Sequence, residues 1–158
     1  MTIAKPGKPN KAKTKSGDAV EEKALVRQVA ALPWRITERL EIMLVSSRQT
    51  RRWIIPKGWP MAGRSASTAA AIEALEEAGL LGAIDEAPFG QFTYAKKFSR
   101  GESALCEVDV FPLRVNRQRA DWPEKDQRET RWFSPEEAAT CASDPELGAL
   151  IARFAAAR

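Results

Sequence analysis

Three glutamates carry the strongest chemical signal in this chain: Glu73, Glu76 and Glu77 stand at i, i+3 and i+4 in the run AAAIEALEEAG. On a helix advancing about 100° per residue, all three side chains project within an arc of roughly 100°. Glu73 and Glu77 form an i, i+4 like-charge pair, which costs an isolated helix a few tenths of a kcal/mol. They also lie toward the end of the segment, where the helix dipole disfavours anions, and no base occurs between Glu73 and Ala95. Such crowding is either a solvated acidic face or a site for a hard divalent cation, because Mg²⁺ takes carboxylate oxygens together with water and substrate phosphates. The preceding segment has the opposite sign. From Ile42 to Ile72 there are five bases (Arg48, Arg51, Arg52, Lys57, Arg64) and no acid, and Lys96, Lys97 and Arg100 follow the acidic stretch. Basic and acidic segments side by side suit a negatively charged ligand that arrives with a divalent cation. Arg52 and Lys57 rank first as anion contacts, ahead of Arg48, Arg64 and Lys96, though each base singly also reads as a solvated surface charge. Tyr94, Phe92, Trp59 and Trp122 are rings able to stack on a base or to pack in the core. Glu107 and Asp109, two apart on a strand, are a further metal ligand or a solvent-facing pair.

What is missing narrows the chemistry. The chain of 158 residues contains no histidine, which excludes Ser-His-Asp and Cys-His nucleophilic sites, His-ligated zinc or haem, and a His general base. Two cysteines, Cys106 and Cys141, build neither a disulfide framework nor a Cys-rich metal site, so a reducing, cytoplasmic compartment is expected. No apolar run approaches the roughly 18 residues of a membrane helix. The net charge of +4 is concentrated in the first 23 residues, where six lysines face three acids. Residues 1–25 are therefore read as a flexible Lys-rich tail, with one globular domain over 26–158. The tail is a solubilising segment or a weak contact for nucleic acid.

Those chemical residues need a scaffold. Gln28 to Ile36 and Leu40 to Ser47 read as strands. In the second, apolar residues occupy both alternating sets, as in a sheet covered on both faces. Trp53 to Ile55 is a short strand stopped by Pro56, and Pro56 to Gly63 reads as a loop. A helix capped by Ser65 or Ser67 runs to Gly79, whose left-handed conformation ends it. On this helix Thr68, Ala71, Leu75 and Ala78 form the small-residue face expected to lie on a sheet. Phe89 to Phe98 and Ser103 to Val115 read as a hairpin turning at Ser99 to Glu102, and Thr130 to Phe133 as a short strand. Ser134-Pro135-Glu136-Glu137 is a capping box with proline at N1. Asp144-Pro145 opens the last helix, with the core stripe Leu147, Leu150, Ile151 and Phe154. Strands interleaved with two or three helices predict an α/β fold, a mixed β-sheet between helices.

The segment from Gly58 to Leu80 resembles the Nudix box, which reads Gly, five residues, Glu, seven residues, then Arg-Glu-U-x-Glu-Glu-x-Gly-U, where U is a bulky aliphatic residue. Gly58, Glu73, Glu76, Glu77, Gly79 and Leu80 fall in register. Arg64 stands where the first Glu belongs, Ile72 where the Arg belongs, and Ala74 is small for its position. The runs Leu44 to Arg48, Arg52 to Pro56 and Asp121 to Glu124, with Arg128 and Trp132-Phe133, resemble the diphosphoinositol polyphosphate and diadenosine polyphosphate hydrolase branch. The likeness extends over most of residues 26 to 154.

This resemblance implies a Nudix-type α/β/α sandwich and a hydrolase that cleaves a diphosphate linked to another group, using Mg²⁺ or Mn²⁺. Glu73, Glu76 and Glu77 are its implied metal ligands and catalytic residues, with Glu73 also a candidate base for water or a ligand only. Gly58 and Gly79 are the structural glycines of the box. The implied partner is a polyphosphorylated small molecule, with the oligomeric state open. Ile72 and Arg64 are expected to weaken metal affinity or turnover without abolishing it. They also support a second reading, a Nudix-like domain of little or no activity that senses a nucleotide or inositol phosphate.

Overall fold

A computed structural model describes residues 25–158; the Lys-rich tail lies outside the described residues, apart from Leu25. β1 (Leu25–Ile36) is the central strand. It runs antiparallel to β2 (Leu40–Ser46) and parallel to β7 (Ser103–Gln118), from Leu25↔Leu105 to Trp34↔Arg114. β2 in turn pairs with β3 (Trp53–Ile54) and β8 (Thr130–Phe133). The long β7 pairs with β6 (Gly90–Lys97) over its first half and with β5 (Leu80–Ile84) over its second. One parallel pair among antiparallel ones makes the sheet mixed, as predicted.

Both faces of the sheet are covered, and the period of two along β1 and β2 decides which residue meets which layer. Val29, Ala31, Met43 and Val45 point to one side, where they bury against Ala69, Ala70, Ala74 and Ala78 of α1 (Ala66–Ala78). Ala30, Leu32, Ile42 and Leu44 point to the other and pack on Leu147, Leu150, Ile151 and Phe154 of α3 (Pro145–Ala156). α2 (Pro135–Cys141) joins that second layer through Ala138. The result is the expected α/β/α sandwich, and the stripe read from the last helix is its core.

The serine caps form as read, but only the Ser134 half of the capping box is made, and Asp144 caps the last helix without a side-chain hydrogen bond. The Ser65 side chain accepts from Thr68 N at 3.2 Å, and Ser134 Oγ accepts from Glu137 N at 3.2 Å. Gly79 ends α1 at φ 69°.

Two readings need correction, and one strand adds to them. Pro56 to Gly63 is not loop throughout, because Lys57–Gly58 forms β4, paired with Val29 and Ala30 of β1. Leu80–Ile84 is a strand, β5, that the glycine at 82 conceals from a propensity reading. The face of α1 that rests on the sheet carries Ser67, Ala70, Ala74 and Ala78. Of the face expected there, only Ala78 is buried; Thr68, Ala71 and Leu75 border a shallow apolar groove on the outer side with Ile72.

Candidate active site

The rotation of α1 on the sheet decides what its carboxylates do. With Ala70, Ala74 and Ala78 seated on β1 and β7, Glu77 falls on the buried side at 5% exposure, Glu73 is half-buried and Glu76 is exposed. β4 runs beside the helix, so Lys57 N donates to Glu77 Oε2 at 3.2 Å. Gly58 makes room for Glu73: a Cβ there would lie 2.3 Å from the Glu73 Cδ. The glycine of the box is thus required by close approach of a side chain.

Glu73 and Glu77 form the floor of a cleft of about 1240 Å³, with Glu124 beside them. Its walls include Arg48 and Arg52 from the turn after β2, Lys57 from β4 and Lys96 from β6. The structure therefore brings together four of the five bases predicted to contact an anion. Arg64 is not among them: it is exposed in the turn where its N–H donates to Met61 O at 3.1 Å, away from the cleft lining. Glu76 does not line the cleft either, and its carbonyl accepts from Glu124 N at 3.0 Å. Glu107 and Asp109 lie elsewhere, paired with Arg27 at 3.1 and 3.7 Å.

Arg128 is the residue that sequence reasoning ranked too low. Its side chain is 8% exposed, and Nη2 lies 3.3 Å from Glu77 Oε1 and 3.2 Å from Glu124 Oε1. Nη1 donates to Ser46 O at 3.2 Å. Ile72 cannot supply a guanidinium to the helix carboxylates, and Arg128, fifty-one positions after Glu77, brings one from another segment. Glu124 and Arg128 are four apart in a turn rather than on a helix, so neither that pair nor its third member was marked by spacing.

The electrostatics follow from burial. Desolvation, followed by the charges of Glu76 and Glu124, pushes the Glu73 carboxyl up to about 7. Glu77 is also pushed up to about 7, by burial first and then by Glu73, against the opposing pull of Arg128. Burial lowers the Lys57 ammonium below its ordinary value, with Glu77 and Asp144 opposing. Two carboxylates so placed are short of positive charge, and a divalent cation would supply it. Among the described residues, no three Asp, Glu or Cys side chains are gathered closely enough to hold a metal by themselves. Glu73 and Glu77 are nonetheless hard oxygen donors of the kind a divalent cation takes together with water. The donor chemistry fits, and Glu73 and Glu77 are the oxygens best placed to provide it.

Fold and cleft together define a class: an α/β/α domain in which an acidic helix and basic side chains line one cleft. The NUDIX domain model matches residues 25–154, and the chain belongs to the NUDIX family. It is 36% identical to Nudix hydrolase 12, mitochondrial, of Arabidopsis thaliana over 103 residues, which cover 63% of this chain and 51% of that protein. It is 34% identical to Nudix hydrolase 13, mitochondrial, of the same plant over 105 residues, covering 63% and 52%. The chain thus spans about half the length of these relatives. A C. elegans Ap4A hydrolase in a binary complex shares the fold, with a TM-score of 0.63, 23% identity, and coverage of 83% of this chain and 96% of that one.

Proposed function

We propose that the protein is a metal-dependent hydrolase of phosphoanhydride bonds in small polyphosphorylated substrates. Nucleoside diphosphate derivatives, diadenosine polyphosphates and diphosphoinositol polyphosphates are the substrate classes of this reading. The observation that carries this reading is the pairing of Glu73 and Glu77 on the floor of a cleft whose walls hold Arg48, Arg52, Lys57 and Lys96. A phosphate chain lying against those bases has its repulsion toward an oxygen nucleophile reduced. Mg²⁺ or Mn²⁺, when bound, neutralises non-bridging phosphate oxygens and acidifies water. Glu73, half-buried on the cleft floor, is a candidate acceptor for the proton of the attacking water, or a ligand only. Glu76, the third ligand implied by the resemblance, is exposed and does not line the cleft, so Glu73 and Glu77 would hold the ion. Arg128 holds Glu77 and Glu124 in place.

The names of the relatives, Nudix hydrolases of Arabidopsis and an Ap4A hydrolase of C. elegans, support hydrolysis. A free, buried Cys106 and a free, exposed Cys141 suit a reducing compartment such as the cytoplasm. Among the described residues no helix is long and apolar enough to cross a membrane.

The test is a panel of phosphoanhydride substrates with Mg²⁺ or Mn²⁺, products being read by chromatography. Cleavage that vanishes in chelator is the expected result. Binding of the same compounds without turnover under any metal would overturn hydrolysis in favour of the sensor reading. That second reading is favoured by one specific feature: the Arg128 guanidinium already occupies both Glu77 and Glu124.

A further inference from the structure

Of the four rings able to meet a base, the fold leaves one in position. Phe92 is 2% exposed in the core against α3. Trp122 lies against Gly79 at the end of α1, where an added Cβ would come within 2.4 Å of the indole. Tyr94 lines the cleft but is half-buried; its hydroxyl donates to Gln28 Oε1, and Lys57 Nζ sits 5.0 Å over its ring. Trp59 is different. It is 46% exposed, lines the same cleft, and directly follows the glycine against which Glu73 lies. Lys96 Nζ lies 5.3 Å from the centroid of its ring.

An indole left this exposed loses the hydrophobic benefit of burial, and the cleft around it is otherwise mostly charged and polar. Base–aromatic stacking is a stronger contact than an exposed cation–π pair, so a planar base displaces a flexible lysine from such a ring. The displaced ammonium remains beside the ring, close to the phosphates of the same ligand. The cleft, about 1240 Å³, exceeds the roughly 300–1,000 Å³ of ordinary small-ligand pockets, and so has room for a base and a phosphate chain together.

Resting on the phosphoanhydride reading above, we propose that Trp59 is the stacking platform for a heteroaromatic base, so that this site selects nucleoside polyphosphates over inositol polyphosphates. An inositol ring is saturated and offers no π-face to the indole. Stacking tolerates any base, so the preference is for nucleotides as a class.

The experiment measures calorimetric binding of α,β-methylene-ADP and of methylenediphosphonate, its base-free counterpart, to the full chain with Mg²⁺. Trp59→Ala is expected to weaken the nucleotide analogue about tenfold, equivalent to about 1.4 kcal/mol, and to leave methylenediphosphonate within about twofold. Trp59→Phe retains most of the affinity. If Trp59→Ala does not fold, Trp59→Phe serves with fluorescence: the analogue quenches indole emission in the parent protein, and that quench disappears in the variant. Equal weakening of both ligands by Trp59→Ala, no weakening of either, or a quench that survives Trp59→Phe would overturn the proposal. So would a loss of inositol hexakisphosphate binding in Trp59→Ala as large as the loss of α,β-methylene-ADP binding. Selective loss of nucleotide binding in a protein that cleaves no phosphoanhydride would sink the hydrolase reading and leave Trp59 in this role. Turnover that ignores the base and Trp59 alike would do the reverse.

Discussion

Replacing Arg128 by methionine tests the electrostatics of the site most directly. The guanidinium is 8% exposed and lies 3.3 Å from a Glu77 carboxylate whose side chain is 6% exposed. Removing one member of such a buried pair strands the other, typically at about 3–5 kcal/mol. The size of the loss depends on pH, because the Glu77 carboxyl is pushed up to about 7. Without Arg128, which opposes that rise, it climbs further. At pH 8 the variant must therefore bury an unpaired anion or take up a proton against the solution, and the full penalty applies. At pH 5.5 Glu77 is already neutral, and the cost falls to roughly 1.5–3 kcal/mol, for the charged hydrogen bonds to Glu124 and the Ser46 carbonyl. For a domain of this size the penalty at pH 8 lowers Tm by roughly 10–20 °C. Urea denaturation in chelator at both pH values, with Arg128→Met, Glu77→Gln and the double variant, measures the cycle. The two changes should couple by more than about 1 kcal/mol at pH 8 and much less at pH 5.5. Equal costs at both pH values, with coupling below about 0.5 kcal/mol, would show that Arg128 and Glu77 share no buried charge.

The other expectations concern the same carboxylates and the glycines that admit them. In the metal-free protein Glu73 and Glu77 keep protons to about pH 7 that the unfolded chain releases near 4.5. The native state then binds more protons across that window, so stability should fall as pH rises from about 4.5 to 7, a slope that thermal melts will lose in the Glu73→Gln, Glu77→Gln pair. Glu73→Gln should raise Tm at pH 8 by a few degrees while cutting Mg²⁺-dependent turnover by orders of magnitude, as melts and steady-state assays would show. Gly58→Ala places a methyl 2.3 Å from the Glu73 Cδ; the flexible carboxylate moves aside, so turnover should drop far more than stability. Gly79→Ala combines φ 69° with a Cβ 2.4 Å from the Trp122 ring. Denaturant melts should show a loss of at least about 2 kcal/mol, the left-handed penalty alone being roughly 1–2.

The sequence by itself determined the local order. Serine and proline caps, the left-handed glycine at 79, the stripe Leu147, Leu150, Ile151 and Phe154, and the two-sided apolar strands are short-range signals, and each formed where the pattern placed it. So was the carboxylate spacing, because i, i+3 and i+4 share a helix face whatever surrounds them. The rotation of α1 was not legible. Its run Ala69-Ala70-Ala71 with Ala74 and Ala78 puts small residues on several sides, so a helical wheel gives no single inner face. Contact with β1 and β7 chose Ala70, Ala74 and Ala78, and thereby buried Glu77 and left Glu76 outside. Two-residue β4 has too little pattern to read; pairing with β1 makes it a strand. Arg128 reaches Glu77 across fifty-one positions, and Trp59 stands open while Phe92 and Trp122 are covered. Charge partners and exposed rings are products of packing between distant segments, which only the folded chain brings together.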